Sequence, residues 1–145
     1  MSMHTSLSKF LVGLSFISSC SLFSCQSKEE VKRQQYVAEG FELYKNNCMN
    51  CHQPKGEGMA KLYPPLANAD FLNEKNKALI ICGIRHGFDQ PLTVNGQVYH
   101  QTMPGNTALK ALDLAVLTTF LYNEWGKEKK ITDVQEVEKA LTTCP

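Results

Sequence analysis

Five consecutive residues, Cys48-Met49-Asn50-Cys51-His52, constrain this chain more than anything else in it. A C-x-x-C-H run reads as a site of covalent c-type haem attachment. Two thiols separated by two residues reach the two vinyl groups on one edge of a haem and form thioethers. The histidine beside the second cysteine is then held under the ring, where an imidazole nitrogen takes the iron as an axial ligand. A bare C-x-x-C has two other readings. A thioredoxin-like redox pair follows a strand in a βαβ pattern, whereas Tyr36 to Asn46 has helical spacing. A zinc site needs a second pair of ligands, and Cys82 and Cys144 are far apart and belong to no second C-x-x-C.

The N-terminus is set aside before the domain is read. Met1 to Lys9 is a short, weakly basic stretch, and Phe10 to Ile17 is an apolar run too short to span a bilayer. Small residues and cysteine follow, as in an exported lipoprotein. Residues 1–24 read as its signal peptide, with Cys25 as the lipid-bearing residue. Leu22-Phe23-Ser24-Cys25 stands at the switch to polar sequence, and Cys20, after Ile17-Ser18-Ser19, is the alternative. An ordinary cleaved signal or an uncleaved anchor are the competing readings. Residues 25–35 are polar and charge-dense and read as a tether. The protein is therefore expected on the periplasmic or cell-envelope side, anchored to a membrane by lipid.

What remains is enough for one domain. The chain has 15 Lys+Arg and 14 Asp+Glu. With Lys9 in the leader, the rest is near neutral, which argues against nucleic acid as a partner. Cys82 and Cys144 are left over after the signal and haem cysteines are assigned. In an oxidising compartment they either form a disulfide, or Cys82 stays free as a small buried apolar group.

A first helix is expected over Tyr36–Asn46, with Val37, Gly40, Phe41 and Tyr44 on one face. Tyr63-Pro64-Pro65-Leu66 cannot be helix interior. A second helical stretch covers Asp70 to His86. Asn95-Gly96 between Leu92-Thr-Val and Gln-Val-Tyr99 signals a hairpin. A long helix follows from Thr107 to Trp125, with Gly126 placed for its C′ position. Thr132 to Gln135 reads as a capping box opening a tail helix, on which Val134, Val137, Leu141 and Cys144 share a face.

An iron held by His52 has one axial position left, and the candidates are Met59, Met103, His86 and His100. Met59 is too near His52 for the chain to wrap the ring. Met103 lies beyond a helix and a hairpin, and Pro104 keeps it out of helix so that a loop presents the thioether. His86 ends a helix, and His100 is the real rival. Met103 is the assignment; Met/His ligation raises the potential relative to His/His.

From Tyr36 to Gly126 the chain resembles a class I monohaem cytochrome c of bacterial type. The matching residues are Gly40-Phe41 and Tyr44, Cys48-x-x-Cys51-His52, Pro64-Pro65-Leu66, Val94-Asn-Gly96, Tyr99, Met103-Pro104 and Leu121-Tyr122-Asn123-Glu-Trp125-Gly126. The resemblance implies an all-α cytochrome c fold over residues 36–126, wrapped on one covalent haem. A short hairpin would precede the Met loop, and residues 127–145 would add an extra C-terminal helix. It implies helices crossing near Gly40-Phe41 and Leu121-Tyr122, and a carbonyl at Pro64 or Pro65 accepting from the free nitrogen of His52. It places Arg85 beside a haem propionate, a role that competes with a solvated helix-end arginine.

The function that follows is single-electron transfer by a carrier, not an enzyme. The partners would be redox proteins: a quinol-oxidising complex, a dehydrogenase or a terminal oxidase. The alternatives are a haem enzyme or gas sensor with an open distal site, an accessory subunit of a dehydrogenase or oxidase complex, and a non-haem redox or zinc lipoprotein.

Overall fold

The structure, a computed structural model, describes residues 27–145. The signal reading, and both lipidation candidates Cys20 and Cys25, lie outside the described residues. No helix among the described residues is long and apolar enough to cross a membrane.

Helix α1 runs over Lys28–Asn47 and so absorbs most of the stretch read as a tether, a correction to that expectation. Ser27 caps it by accepting from the Glu30 backbone N–H at 3.1 Å, and Glu29 and Glu30 sit where the helix dipole favours acids. Arg33 then reaches across the fold to donate to the Asn123 side chain at 2.7 Å. That long-range bond gives the polar N-terminal turns of α1 a reason to be ordered.

A one-turn helix, α2, spans Met49–His52. The chain then turns back through a loop to a 3-10 turn over Glu74–Asn76 and helix α3, Lys77–His86. The expected start at Asp70 is corrected, because local side-chain bonds capture that backbone before it can become helix. The Asp70 carboxylate accepts from the Asn95 N–H, and the Asn95 amide oxygen accepts from the Asp70 N–H, both at 2.8 Å. Asn73 then caps the 3-10 turn by accepting from Asn76 N–H at 3.2 Å.

Four short strands follow: β1, Gly87–Phe88; β2, Leu92–Val94; β3, Gln97–Tyr99; and β4, Met103–Pro104. They pair antiparallel as β2 with β3 and β1 with β4. The β2–β3 turn has Asn95 at φ 52° and Gly96 at φ 75°. Both central residues are thus left-handed, as a type I′ turn requires.

Helix α4 covers Ala111–Glu124, and every residue from Leu114 to Asn123 is buried. A helix apolar on all sides belongs at the centre of its domain. It starts later than Thr107 because Asp113 accepts from the Lys110 N–H at 2.7 Å and fixes the entry there. Helix α5, Val134–Leu141, closes the fold against α3 and α4. The expected capping box is absent: the Thr132 N–H donates to Thr119 Oγ1 at 2.9 Å, inside the core, and Asp133 becomes the N-cap residue. Cys82 and Cys144 are joined by a disulfide with Cα atoms 5.6 Å apart. The extension is thereby bonded to α3.

The α1–α4 crossing is set by Gly40. A Cβ there would run into Phe120 and stand 2.5 Å from the Val116 carbonyl oxygen. Only a residue with no side chain lets the two helices approach this closely. Around the crossing Tyr44, Phe120 and Trp125 pack with ring centroids 5.1 to 5.6 Å apart. The helical architecture and the added C-terminal helix agree with the sequence reading.

Candidate functional site

Apolar side chains from nearly every element converge on one cavity of about 990 Å³, counting the part open to solvent. Its wall includes Leu66, Ala69 and Leu72 from the long loop, Ile80 from α3, Leu92, Val94 and Tyr99 from the hairpin, and Leu121 from α4. Cys48, Cys51 and His52 form one side of it, and Met103 is on the wall as well. The residues expected to hold haem and iron are therefore brought to a single site.

Each is held there by local structure. The α1 helix delivers Cys48 directly, since the Cys48 N–H still bonds the Tyr44 carbonyl at 2.8 Å. Cys48 and Cys51 are half-buried and unbonded. Burial pushes the Cys48 thiol up to about 12, with nearby Cys51 a second cause. Among the described residues no group of three or more His, Cys, Asp or Glu is placed to hold a metal ion, so the pair lacks the further ligands a zinc site needs. An apolar cavity with two neutral thiols and an imidazole on its wall does fit a haem.

His52 is 9% exposed, and its Nδ1 lies 3.0 Å from the Pro64 carbonyl oxygen. A carbonyl can only accept, so Nδ1 carries the proton and Nε2 keeps the lone pair a metal needs. Burial lowers the His52 pKa, more than the Pro64 bond raises it, so the ring is neutral at neutral pH. Of the two carbonyls the resemblance implies, the acceptor is Pro64 and not Pro65, although Pro65 is on the cavity wall. The loop presents that carbonyl because it doubles back. The Gly58 N–H donates to the His52 carbonyl and the Met59 N–H to the Tyr63 carbonyl, each at 2.9 Å.

Two observations concern the other candidates. Arg85 does not line the cavity. Its Nη1 donates to the carbonyls of Thr107 (at 3.2 Å) and Leu109, which ties it to the chain before α4. His86, His100 and Met59 are exposed and off the cavity wall, on which Met103 stands.

Sequence reasoning placed Tyr44 on the face of α1 but missed its hold on the site. Its side chain is fully buried and its hydroxyl donates to the Gln53 carbonyl at 2.5 Å, locking the residue that follows His52. The signal was present in the helical face shared with Gly40, but its reach to Gln53 depends on the loop. Also missed was the ladder pairing Phe88 with Met103, which two-residue strands do not announce in sequence.

Residues 37–125 match the family model described as cytochrome c. The chain is 30% identical over 97 residues to cytochrome c-552 of Thermus thermophilus, covering 65% of this chain and 73% of that protein. It is also 30% identical over 90 residues to the cytochrome c subunit of a quinone alcohol dehydrogenase from Gluconacetobacter polyoxogenes, covering 61% of this chain but only 19% of that subunit. A like subunit from Gluconobacter oxydans is 27% identical over 106 residues, 72% of this chain and 22% of that protein. Cavity, thiols and imidazole stand where the family attaches haem c covalently, and the chain belongs to the cytochrome c family.

Proposed function

We propose that this cytochrome c, a haem-bearing electron carrier by family, works with an iron that is closed on both axial sides, by His52 and by Met103. The haem, held through Cys48 and Cys51, supplies one-electron redox chemistry. The protein's part is to hold and insulate. His52 offers Nε2 while Pro64 fixes its ring, Met103 offers a neutral thioether, and the apolar wall excludes water from both. The observation that carries the reading is that Met103 is on the wall of the cavity that holds His52, while His86 and His100 are exposed away from it. With both positions taken, no substrate site is left on the iron. The reading therefore favours a carrier over an enzyme or gas sensor.

The electron partner we propose is a dehydrogenase. This is supported by relatives that are themselves cytochrome c subunits of quinone alcohol dehydrogenases. Export and a lipid on Cys25, or on Cys20, would keep the carrier at the membrane where such complexes work. Two measurements test the reading. A redox titration of the holoprotein followed in the visible should give a single one-electron transition. Labelling with a radioactive fatty acid should mark the full chain and be lost in Cys25→Ala or Cys20→Ala; no incorporation would overturn the anchor alone.

A further inference from the structure

We propose that the C-terminal extension, acting through the Cys82–Cys144 disulfide, positions Met103 and guards its place in the cavity against displacing ligands. This rests on reading Met103 as the second axial ligand.

The Met103 segment has no helix of its own. Its backbone is laid onto the end of α3: β4 pairs with β1, Phe88 opposite Met103 and Gly87 opposite Pro104, and β1 follows α3 without a break. The next residues are pinned to the same helical turn. The Asn106 N–H donates to the Ile84 carbonyl at 2.8 Å, and Arg85 holds the carbonyls of Thr107 and Leu109. The Phe88 ring lies directly on the backbone of α3 at Gly83, where any Cβ would overlap it. Met103 is therefore only as fixed as α3.

A ten-residue helix is marginal alone and depends on what packs against it. The extension grips α3 at two points. Cys82, next to Gly83, is bonded to Cys144. At the first turn the buried Lys77 ammonium meets Glu128 at 2.8 Å and Glu136 at 3.8 Å, both beyond α4. Between these points Val137 and Ala140 of α5 are buried in the core. A short chain of contacts thus runs from Cys144 through Cys82, Gly83 and Phe88 to Met103. Loosening the extension should raise the population of states in which the segment from Met103 to Leu109 lets go of α3.

The test is the rate at which imidazole displaces Met103 from the oxidised holoprotein, read as loss of the far-red absorption band that methionine ligation produces. We expect the double variant Cys82→Ala/Cys144→Ala to react about tenfold faster than wild type. Val137→Ala, which keeps the disulfide and trims the α5 contact, should fall between them and decides the matter if the double variant does not fold. Gly40→Ala strains the α1–α4 crossing at Val116 and Phe120, away from the extension, and should leave the rate unchanged, even at a comparable loss of thermal stability. Wild-type rates in the extension variants, or equal acceleration in Gly40→Ala, would overturn the proposal. Met103→Ala separates the two levels of the account. If it keeps the far-red band, the ligand assignment itself fails. If it loses the band while the extension variants react at the wild-type rate, only the positioning role fails.

Discussion

The Nδ1 of His52 donates to the carbonyl oxygen of Pro64 across 3.0 Å, and this bond both orients the imidazole and strengthens it as a ligand. The loop that carries Pro64 has one vulnerable point. Gly58 has φ +69°, and a Cβ there would stand 2.5 Å from the Tyr63 carbonyl oxygen and 2.7 Å from the Pro64 carbonyl carbon. Gly58→Ala should displace that carbonyl and weaken the bond to Nδ1. A less basic imidazole supports the oxidised iron less well. The reduction potential should therefore rise, on the order of tens of millivolts, as measured by redox titration; an unchanged potential would mean that the Pro64 bond does not tune the ligand.

The α1–α4 crossing makes a stability prediction. Gly40→Ala forces a methyl group against Phe120 and the Val116 carbonyl. The neighbouring backbone cannot yield as a flexible side chain would. The substitution should cost about 1–3 kcal/mol by overpacking, measured by denaturant unfolding of the holoprotein. A neutral result would mean the helices have room to separate.

The disulfide should matter most for global stability. It closes a loop with a sequence separation of 62 residues. In the chain-entropy picture such a cross-link contributes about 4 kcal/mol. Cys82→Ala/Cys144→Ala should lower the unfolding free energy by roughly 2–4 kcal/mol, read by chemical denaturation.

Acid should loosen the grip at Lys77. The Glu128 carboxyl and then the Lys77 ammonium hold Glu74 down at about 2, against an ordinary value of 4.5. A depressed carboxylate stabilises the fold fully above its unfolded pKa and loses that contribution as pH falls through its folded pKa. The window is therefore from about 4.5 down to about 2. Glu128 shifts the other way, raised by its own burial and then by Glu74, so the two carboxyls titrate as one unit. Burial opposes the Lys77 charge, but Glu128 and Glu74 outweigh it and its pKa stands above the ordinary value. Glu74→Gln should flatten the fall of melting temperature across that window, and a curve parallel to wild type would count against the network.

Much of the site was legible in the sequence because its chemistry is local. The haem motif needs only five residues, and Asn95-Gly96 writes its own turn. Met103-Pro104 stood out because proline removes it from helix. What escaped depends on distant partners. The charge-dense start of α1 looks like a tether until Arg33 finds Asn123, ninety positions away. Asp70 looks like helix until Asn95 captures its backbone. Arg85 ends a helix, and only the folded loop shows which carbonyls its guanidinium meets. The loop geometry likewise chose Pro64 over its neighbour, a difference of one residue that spacing cannot resolve.

The central claim, an iron closed by His52 and Met103, is tested most directly with carbon monoxide. The reduced wild-type holoprotein should show no spectral change on exposure to the gas, and reduced Met103→Ala should bind it readily. Rapid binding by the wild type, or a Met103→Ala spectrum identical to wild type and equally inert, would contradict the account.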